Sequence, residues 1–220
     1  MSADPKPPFS TARLAMVEDQ LRGRGIGDQR VLAAMSKVPR HEFVRPQSWP
    51  EAYADHPVAI GEQQTTSQPY IIAAMLQAAE IAPQDRVLEI GAGSGYQTAL
   101  LAELAGKVFA VERFPTLAAS AQNVLERLGY SNATVITGDG SLGLPEQSPF
   151  DVIVVAAAAP RVPPALLEQL APGGRLVVPV GDSQQQVLQL ARKAADGRVT
   201  VHSLEGCRFV PLIGRQGFGV

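Results

Sequence analysis

The sequence predicts an α/β fold built on a mostly parallel, doubly wound sheet of Rossmann-like type, and three observations support this prediction. Short apolar segments alternate with helical segments over residues 86–180. A glycine-rich turn follows the first of these apolar segments, and three short extended segments follow one another after residue 185. Strand–helix alternation requires crossover connections and therefore parallel strands. Consecutive extended segments with little helix between them indicate antiparallel C-terminal strands that close one edge of the sheet.

The composition is that of one globular domain with no basic surface for nucleic acid. Of 220 residues, 45% are hydrophobic and 18% are charged, and the formal net charge is −2 with no run of Lys or Arg. Nucleic-acid-binding proteins usually carry such a run, so we expect no nucleic-acid partner. The only cysteine, Cys207, permits neither an intrachain disulfide nor a cysteine zinc cluster. We expect it to be a buried apolar side chain beside a strand.

The N-terminal residues 1–9 are polar and Pro-rich, which predicts a disordered lead-in. They lack the apolar core of a signal peptide. No apolar run in the chain approaches the ~20 residues that cross a bilayer. We therefore expect a cytoplasmic protein with no membrane partner.

Two helices are expected first in the segment 10–82, which we predict to pack on the core as an N-terminal helical extension. Ser10 is a candidate cap for a helix to about residue 24 that buries Leu14, Val17 and Leu21 on one face. Asp28 is a candidate cap for a second, short helix.

The segment 40–68 contains several prolines and no sustained periodicity, which predicts a long loop. Ser67 and Pro69 then have the spacing of an N-cap and an early helical proline, for a helix to about residue 80.

The core, predicted over residues 83–220 within a single domain, alternates between the two element types. We expect strands at 86–90, 107–111, 134–139, 151–159 and 175–180, and helices at 96–105, 115–128 and 163–170. The three C-terminal extended segments are QVLQLAR, RVTVHSL and CRFVPL.

The glycine-rich turn EIGAGSGY lies at the first junction between strand and helix. In an open parallel sheet, ligands bind at the carboxyl ends of the strands where the strand order reverses. Glycines there allow the backbone to approach a ligand and leave N–H groups at the helix N-terminus to contact it. A tight turn that binds nothing is the alternative. The candidate cofactor-binding residues are Glu89, Gly91, Ala92, Gly93, Ser94 and Gly95.

Two acidic residues at the ends of the next strands strengthen the prediction of a nucleoside site. Glu112 lies about 20 residues after the glycine turn, where an acidic side chain accepts the ribose hydroxyls. Asp139 and Gly140 end the third strand, where a carboxylate can accept from the adenine amine. As alternatives, Glu112 is a solvated strand end and Asp139-Gly140 an ordinary turn. Tyr96 occupies the position of the third glycine of a dinucleotide fingerprint, which favours a nucleoside with a short amino-acid tail over NAD.

Several segments together resemble one family, the protein-L-isoaspartate (D-aspartate) O-methyltransferases. These are VLEIGAGSGYQTALLA, AVE at 110–112, GDG at 138–140, VAAAAP, LAPGGRLVVPVG and FVPLIG, and the N-terminal pieces QLRGRGIGDQRVLAAMSKVPRHEFV and AYADHPV. More specific is IGEQQTTSQPY at 60–70, which is similar to the family's IGxGQTISQPY. The resemblance spans roughly residues 16–214. In the most specific segment Gln63 replaces Gly and Thr66 replaces Ile, and Gln63 is strained if its backbone requires a positive φ.

The resemblance implies a methyltransferase that uses S-adenosyl-L-methionine to methylate the free carboxylate of L-isoaspartyl residues, with D-aspartyl residues as a second candidate. Age-damaged proteins and peptides would be the substrates of a monomeric enzyme. The family places its active-site serine at the position of Ser67, and Gln64, Thr65 and Gln68 lie beside it in the substrate loop. Alternatively, Ser67 is only a helix cap. The segment 40–68 and the C-terminal FVPLIGRQG are predicted to form a lid.

A substrate carboxylate is already ionised at neutral pH, so the reaction requires no general base and no metal. The histidines His41, His56 and His202 are scattered and are interpreted as surface or packing residues. Three rival functions are considered. They are a methyltransferase for a small-molecule carboxylate, a non-catalytic relative that binds S-adenosylmethionine, and a dinucleotide oxidoreductase.

Overall fold

The computed structural model describes residues 9–219. Residues 1–8 of the predicted lead-in lie outside the described residues, and Phe9, its last residue, already belongs to the first helix. The N-terminal part contains α1 (Phe9–Ala15), a π-helix (Met16–Leu21), a 3₁₀ turn (Arg22–Arg24), α2 (Gln29–Lys37), 3₁₀ turns at Arg40–Phe43 and Pro46–Glu51, β1 (Val58–Gly61), β2 (Gln64–Thr66) and α3 (Pro69–Ala79).

The single helix predicted for residues 10–24 is wrong, because it changes to a π-helix at Met16. A π-helix has more residues per turn, so residues on either side of the change no longer share one face. Val17 and Leu21 are buried as predicted, whereas the side chain of Leu14 is 53% exposed. The cap predicted at Asp28 is confirmed, since its carboxylate accepts from the N–H groups of Arg30 and Val31.

The long loop predicted for residues 40–68 is also wrong. Two 3₁₀ turns occupy its first part, and β1 and β2 pair as an antiparallel hairpin in its second part. The hairpin brings residues 64–66, immediately before Ser67, back against β1. An ordered hairpin therefore carries the predicted substrate loop.

The central sheet has seven strands with helices on both faces. In chain order its elements are β3 (Arg86–Ile90), α4 (Tyr96–Leu104), β4 (Lys107–Glu112), α5 (Pro115–Arg127), β5 (Ala133–Thr137), β6 (Phe150–Val155), α6 (Pro164–Glu168), β7 (Leu170–Gly181), β8 (Gln186–Lys193) and β9 (Val199–Cys207). The spatial order is β5-β4-β3-β6-β7-β8-β9. Strands β3 to β7 run parallel, and β8 is antiparallel to both of its neighbours.

The predicted doubly wound sheet with antiparallel C-terminal strands is confirmed, except for the third C-terminal segment. Residues after Cys207 do not add a strand to the edge; they cross to the carboxyl ends of the parallel strands. There the N–H of Ala158 donates to Val210 O at 2.8 Å, and the N–H of Leu212 donates to Ala158 O at 2.7 Å. The C-terminal segment is therefore attached beyond the end of β6.

The core lies on both faces of the sheet, as expected for parallel strands covered by helices. Adjacent strand residues point to opposite faces, so that Val87 packs on one side with the N-terminal helices and α4, while Leu88 packs on the other. The apolar cluster that contains Val87 also includes Leu32 of α2 and Leu76 of α3. The strand order reverses between β3 and its two neighbours, β4 and β6, which places a ligand crevice at the ends of these strands.

Candidate functional site

The glycine turn after β3 uses backbone conformations that favour glycine. Gly91, Gly93 and Gly95 all have positive φ, at 89°, 54° and 87°. The N–H of Gly91 donates to Val111 O at 2.8 Å, which ties the turn to β4. Gly95 is the N-cap of α4, and a Cβ built on it would stand 3.1 Å from the Cβ of Ala121. The turn is therefore a fixed feature of the first strand–helix junction.

The glycine turn borders two cavities that connect to a third through Thr65 and Ala156, and we name these three by position. The strand-tip cleft is lined by Ile90, Gly91, Glu112, Gly140, Ala157 and Leu212, among others. The groove has a volume of about 370 Å³ and is lined by residues that include Arg24, Ser67, Tyr70, Ala156, Glu205 and Arg208. Between them lies the chamber, of about 30 Å³, lined by residues that include Thr65, Ser67, Gly91, Ser94, Gln97 and Ala156.

The connection between these cavities is the most informative feature of the site. Thr65 and Ala156 border all three cavities, and Ser67 borders the chamber and the groove. Gly91 borders the chamber and the cleft. A ligand in the strand-tip cleft and a second ligand in the groove would therefore meet at the Ser67 side of the chamber.

Glu112 ends β4 inside the cleft and is only 5% exposed, which argues against a solvated strand end. Its Oε2 accepts from the N–H of Gly93 and its Oε1 from the N–H of Phe114, both at 2.9 Å. Each carboxylate oxygen can accept more than one hydrogen bond. The side chain is thus fixed at the cleft with acceptor capacity remaining.

Asp139 is placed differently from the sequence prediction. Its Oδ1 accepts from the N–H and the hydroxyl of Ser141, at 3.0 and 2.7 Å, and its Oδ2 accepts from the N–H of Arg215 at 2.9 Å. Burial raises the pKa of Asp139, but these donors outweigh burial and hold it below its ordinary value. Gly140, rather than Asp139, lines the cleft. The carboxylate ties down the C-terminal segment, and its predicted contact with the adenine amine stays a prediction.

Gly140 could not be another residue without rearrangement, because a Cβ there would lie 2.5 Å from Cγ2 of Ile90. Beside it, residues 210–213 of the C-terminal segment form one wall of the cleft. The prediction that this segment covers the site is consistent with that position.

Ser67 is not a helix cap, so that alternative is wrong. The N-cap of α3 is Gln68, with no side-chain capping bond, and Pro69 is the first helical residue as predicted. Within residues 9–219, the Ser67 hydroxyl makes no hydrogen bond, whereas its carbonyl oxygen accepts from Arg40 at 2.9 Å. The hydroxyl is therefore available to a ligand in the chamber or the groove.

Arg40 holds the turn that carries Ser67, a role that no sequence motif indicated. Its guanidinium is fully buried and donates to Ala52 O at 2.8 Å and to Thr66 Oγ1 at 3.3 Å, besides Ser67 O. It also lies over the ring of Tyr96, at 4.8 Å from the centroid. Burial lowers the pKa of Arg40. The Thr that replaces the family's Ile at position 66 supplies one of these acceptors.

The other residues of the predicted substrate loop are close to the site. Gln64 borders the cleft, and its Nε2 donates to Glu62 O at 3.1 Å. Gln68 borders the groove, where its Nε2 donates to Asp55 Oδ2 at 2.8 Å. The backbone of Gln63 does have the positive φ that would strain a side chain there: its φ is 57°, and that of Glu62 is 49°. Both lie in the left-handed region at the tip of the hairpin.

Glu89 is fully buried beneath the glycine turn. Its Oε2 accepts from the hydroxyl of Thr98, and its Oε1 has no hydrogen-bond partner among the described residues. Burial raises its pKa to about 8; the nearby charge of Glu112 also raises it, and the hydrogen bond from Thr98 lowers it. An unpaired buried carboxyl oxygen here suits a ligand that carries a hydrogen-bond donor or a positive charge.

None of the three histidines lines the chamber. His41 stacks on Phe9 at 3.9 Å and contacts the hydroxyl of Tyr53 through Nδ1 at 2.7 Å. His56 and His202 are exposed. Within residues 9–219 there is no group of three or more His, Cys, Asp or Glu that could hold a metal ion. Over the same residues, no helix combines the length and apolarity needed to span a bilayer.

Comparisons with known proteins agree with the geometry. A family model described as protein-L-isoaspartate(D-aspartate) O-methyltransferase matches residues 12–217. The protein-L-isoaspartate O-methyltransferase of Koribacter versatilis is 59% identical over 210 residues, which cover 96% of this chain and 94% of that protein. The corresponding protein of Trichlorobacter lovleyi is 54% identical, with 96% and 97% covered.

Two solved structures have the same fold over nearly the whole chain. A protein-L-isoaspartate O-methyltransferase superposes with a TM-score of 0.81 at 31% identity, covering 93% of this chain and 67% of the other. A beta-aspartate methyltransferase of Plasmodium falciparum, solved in complex with S-adenosyl-L-homocysteine, superposes with a TM-score of 0.79 at 26% identity, covering 91% and 98%. The chain belongs to the protein-L-isoaspartate(D-aspartate) O-methyltransferase family.

Proposed function

We propose that this chain transfers a methyl group from S-adenosylmethionine to the free carboxylate of L-isoaspartyl residues in damaged proteins and peptides, with Ser67 at the reacting centre. One structural observation supports this function in addition to family membership. The cleft at the glycine turn and the groove at α3 share Thr65 and Ala156 with the chamber, and Ser67 lies between chamber and groove. A nucleoside cofactor and a peptide carboxylate could therefore approach each other from opposite sides.

The residues of the cleft, together with Glu89 buried behind the glycine turn, fit S-adenosylmethionine. The buried, unpaired Oε1 of Glu89 suits a cationic ligand, and the space beside Gly140 is kept open because no side chain could be present there. Glu112 offers acceptors at the position expected for ribose hydroxyls. The residues that would hold the cofactor are Glu89, Gly91, Ala92, Gly93, Ser94, Gly95, Glu112 and Gly140, with Asp139 acting through the C-terminal segment.

The chain's own contribution to the reaction is positioning and exclusion of water. When bound, the cofactor supplies an electrophilic methyl group on a positively charged sulfur. The Ser67 hydroxyl can donate a hydrogen bond to the substrate carboxylate and fix which oxygen faces the methyl group, so that the reacting atoms lie about 3 Å apart. Because opposite charges neutralise each other as the ester forms, a dry site favours the transition state. No side chain has to remove a proton, since the carboxylate is already ionised.

The groove has polar groups suited to an extended peptide rather than to one particular side chain. It is lined by Arg24, Gln68, Tyr70, Glu205 and Arg208, which offer charges of both signs. Arg24 is held in place, since it lies 3.5 Å from the centroid of the Tyr70 ring and pairs with Asp55. We infer that recognition relies on the substrate backbone, so that isoaspartyl sites in many sequences are accepted.

The finer expectations from the sequence remain proposals: a monomer, located in the cytoplasm, that acts on neither nucleic acid nor membranes. The net charge of −2 supports the absence of a nucleic-acid partner, and the single cysteine fits a reducing compartment.

Labelled methyl transfer tests the proposed function directly. The protein is incubated with methyl-labelled S-adenosylmethionine and an isoaspartyl peptide, with the same peptide containing a normal aspartyl residue as control. We expect the isoaspartyl peptide alone to be labelled. If S-adenosylhomocysteine binds but neither peptide is labelled, a small-molecule methyltransferase or a non-catalytic relative becomes the better account.

A further inference from the structure

The chamber is lined by a buried amide, that of Gln97, which the described residues do not satisfy. Gln97 is 6% exposed, and both its Oε1 and its Nε2 lack a hydrogen-bond partner among the described residues. Oε1 of Glu89, on the strand before the turn, is also buried without a hydrogen-bond partner among the described residues. A buried polar group without a partner costs free energy and is rare in folded proteins. Two such atoms on one side chain that lines the chamber indicate that a ligand completes them.

Gln97 is placed by the fold at the entrance of α4. It is the second residue of this helix, and the other two polar side chains of the helix, Thr98 and Glu103, are paired with Glu89 and Lys37. Gln97 lines the chamber together with residues of the glycine turn and with Thr66 and Ser67. The volume of about 30 Å³ admits a small polar group.

The chemistry of an amide restricts what this group can be. The Nε2 of Gln97 can donate and its Oε1 can accept, so the side chain suits a ligand end that carries both an acceptor and a donor. Glu89 adds an acceptor, which turns into a negative charge when it ionises. The N-terminus of α4 favours an anion nearby. A carboxylate next to an ammonium group, as in a free amino-acid end, meets these requirements together.

We propose that Gln97 is a binding residue for the amino-acid end of the cofactor, and that it distinguishes adenosyl ligands that carry this end from those that lack it. The proposal rests on the function proposed above and assigns a role to a residue that no sequence motif singled out. Its Nε2 would donate to the carboxylate and its Oε1 would accept from the ammonium group. Ribose and adenine are held elsewhere, in the strand-tip cleft.

Calorimetry with two ligands tests this role without measuring activity. S-adenosylhomocysteine carries the amino-acid end, and 5′-methylthioadenosine has the same nucleoside without it. We expect Gln97→Leu to weaken S-adenosylhomocysteine binding by about 10- to 100-fold, the loss for one or two hydrogen bonds to charged groups. Binding of 5′-methylthioadenosine should change by less than about 3-fold. Gln29→Leu, the same replacement on the exposed start of α2, is the matched control and should change neither.

A second variant distinguishes the loss of a ligand contact from the loss of the fold. Gln97→Glu keeps the size of the side chain but replaces the donor with an acceptor that repels a carboxylate, so it should also weaken S-adenosylhomocysteine selectively. Equal losses for both ligands, or no loss for S-adenosylhomocysteine in either variant, would overturn the role of Gln97 while leaving the proposed function standing. A wild-type protein that binds neither ligand would instead contradict the proposed function and this inference with it.

Discussion

The Ser67 hydroxyl faces two cavities without a partner of its own, and its main-chain carbonyl is fixed by Arg40. We expect Ser67→Ala to raise the barrier to methyl transfer by ~1–3 kcal/mol, the range for one hydrogen bond to a charged group. Affinity for S-adenosylhomocysteine should be nearly unchanged, because the cleft is intact. Single-turnover rates and calorimetry measure the two effects separately. Ser131→Ala, an exposed replacement before β5, serves as the control, and unchanged turnover in Ser67→Ala would remove the hydroxyl from the mechanism.

Glu89 gives the ligand-free protein a pH dependence that can be measured. Burial, together with the charge of Glu112, raises its pKa to about 8 from an ordinary value of 4.5. The folded state therefore binds this proton more tightly than the unfolded state, and stability is lost as the pH rises through about 8. Glu89→Gln cannot ionise, so its melting temperature should fall less than that of the wild type between about pH 5 and about pH 9. Parallel pH profiles for the two proteins would show that Glu89 is ionised at neutral pH.

The hairpin β1–β2 turns through Glu62 and Gln63, and both residues have positive φ. Such two-residue turns favour glycine, which the family has at position 63. A side chain in this region costs ~1–2 kcal/mol, and the extra freedom of glycine in the unfolded chain offsets ~0.4–1 kcal/mol. Gln63→Gly should therefore raise the free energy of unfolding by up to about 1 kcal/mol. Denaturant unfolding measures it, with Gln64→Gly on the adjacent strand as the control; a destabilised Gln63→Gly would mean that the tip is not strained.

Sequence patterns predicted the regular elements of the sheet well and the irregular ones poorly. The segments at β3, α4 and β4 were predicted within one residue, because buried parallel strands and their helices have strong local patterns. The hairpin was missed because its strands are short and its turn lacks glycine in both central positions. The segment after Cys207 has the composition of a strand, but its partner, Ala158, is distant in the chain.

The site is completed by parts of the chain that lie far apart in sequence. The glycine turn, Glu112 and Ser67 could be predicted because each belongs to a local motif. The roles of three further residues, Arg40, Gln97 and Ala156, could not be predicted. The hydrogen bond from Arg40 to Ser67 joins residues 27 positions apart, and the amide of Gln97 is unpaired only because of its surroundings in the fold. Asp139 could be predicted as a site residue from its local motif, but its hydrogen bonds with Ser141 and with the N–H of Arg215 could not.

The C-terminal segment provides a wall of the cleft, and Asp139 and Ser141 hold it there. Ser141 Oγ accepts from the N–H of Gln216 at 3.0 Å, beside the bond from Arg215 to Asp139. We expect Asp139→Ala and Ser141→Ala each to lower S-adenosylhomocysteine affinity by about 10-fold and to speed amide exchange at residues 213–217. Calorimetry and hydrogen exchange measure these changes. If only Asp139→Ala weakens binding and exchange is unaltered, Asp139 contacts the nucleoside directly.

We propose that one cleft at the ends of β3, β4 and β5 binds the cofactor and opens through the chamber towards Ser67. A crystal structure of the protein with S-adenosylhomocysteine would show where the ligand binds. The ribose should lie within hydrogen-bond distance of Glu112, with the adenine beside Gly140 and the amino-acid end towards Gln97. A bound nucleoside elsewhere on the molecule, with this cleft empty, would contradict the account.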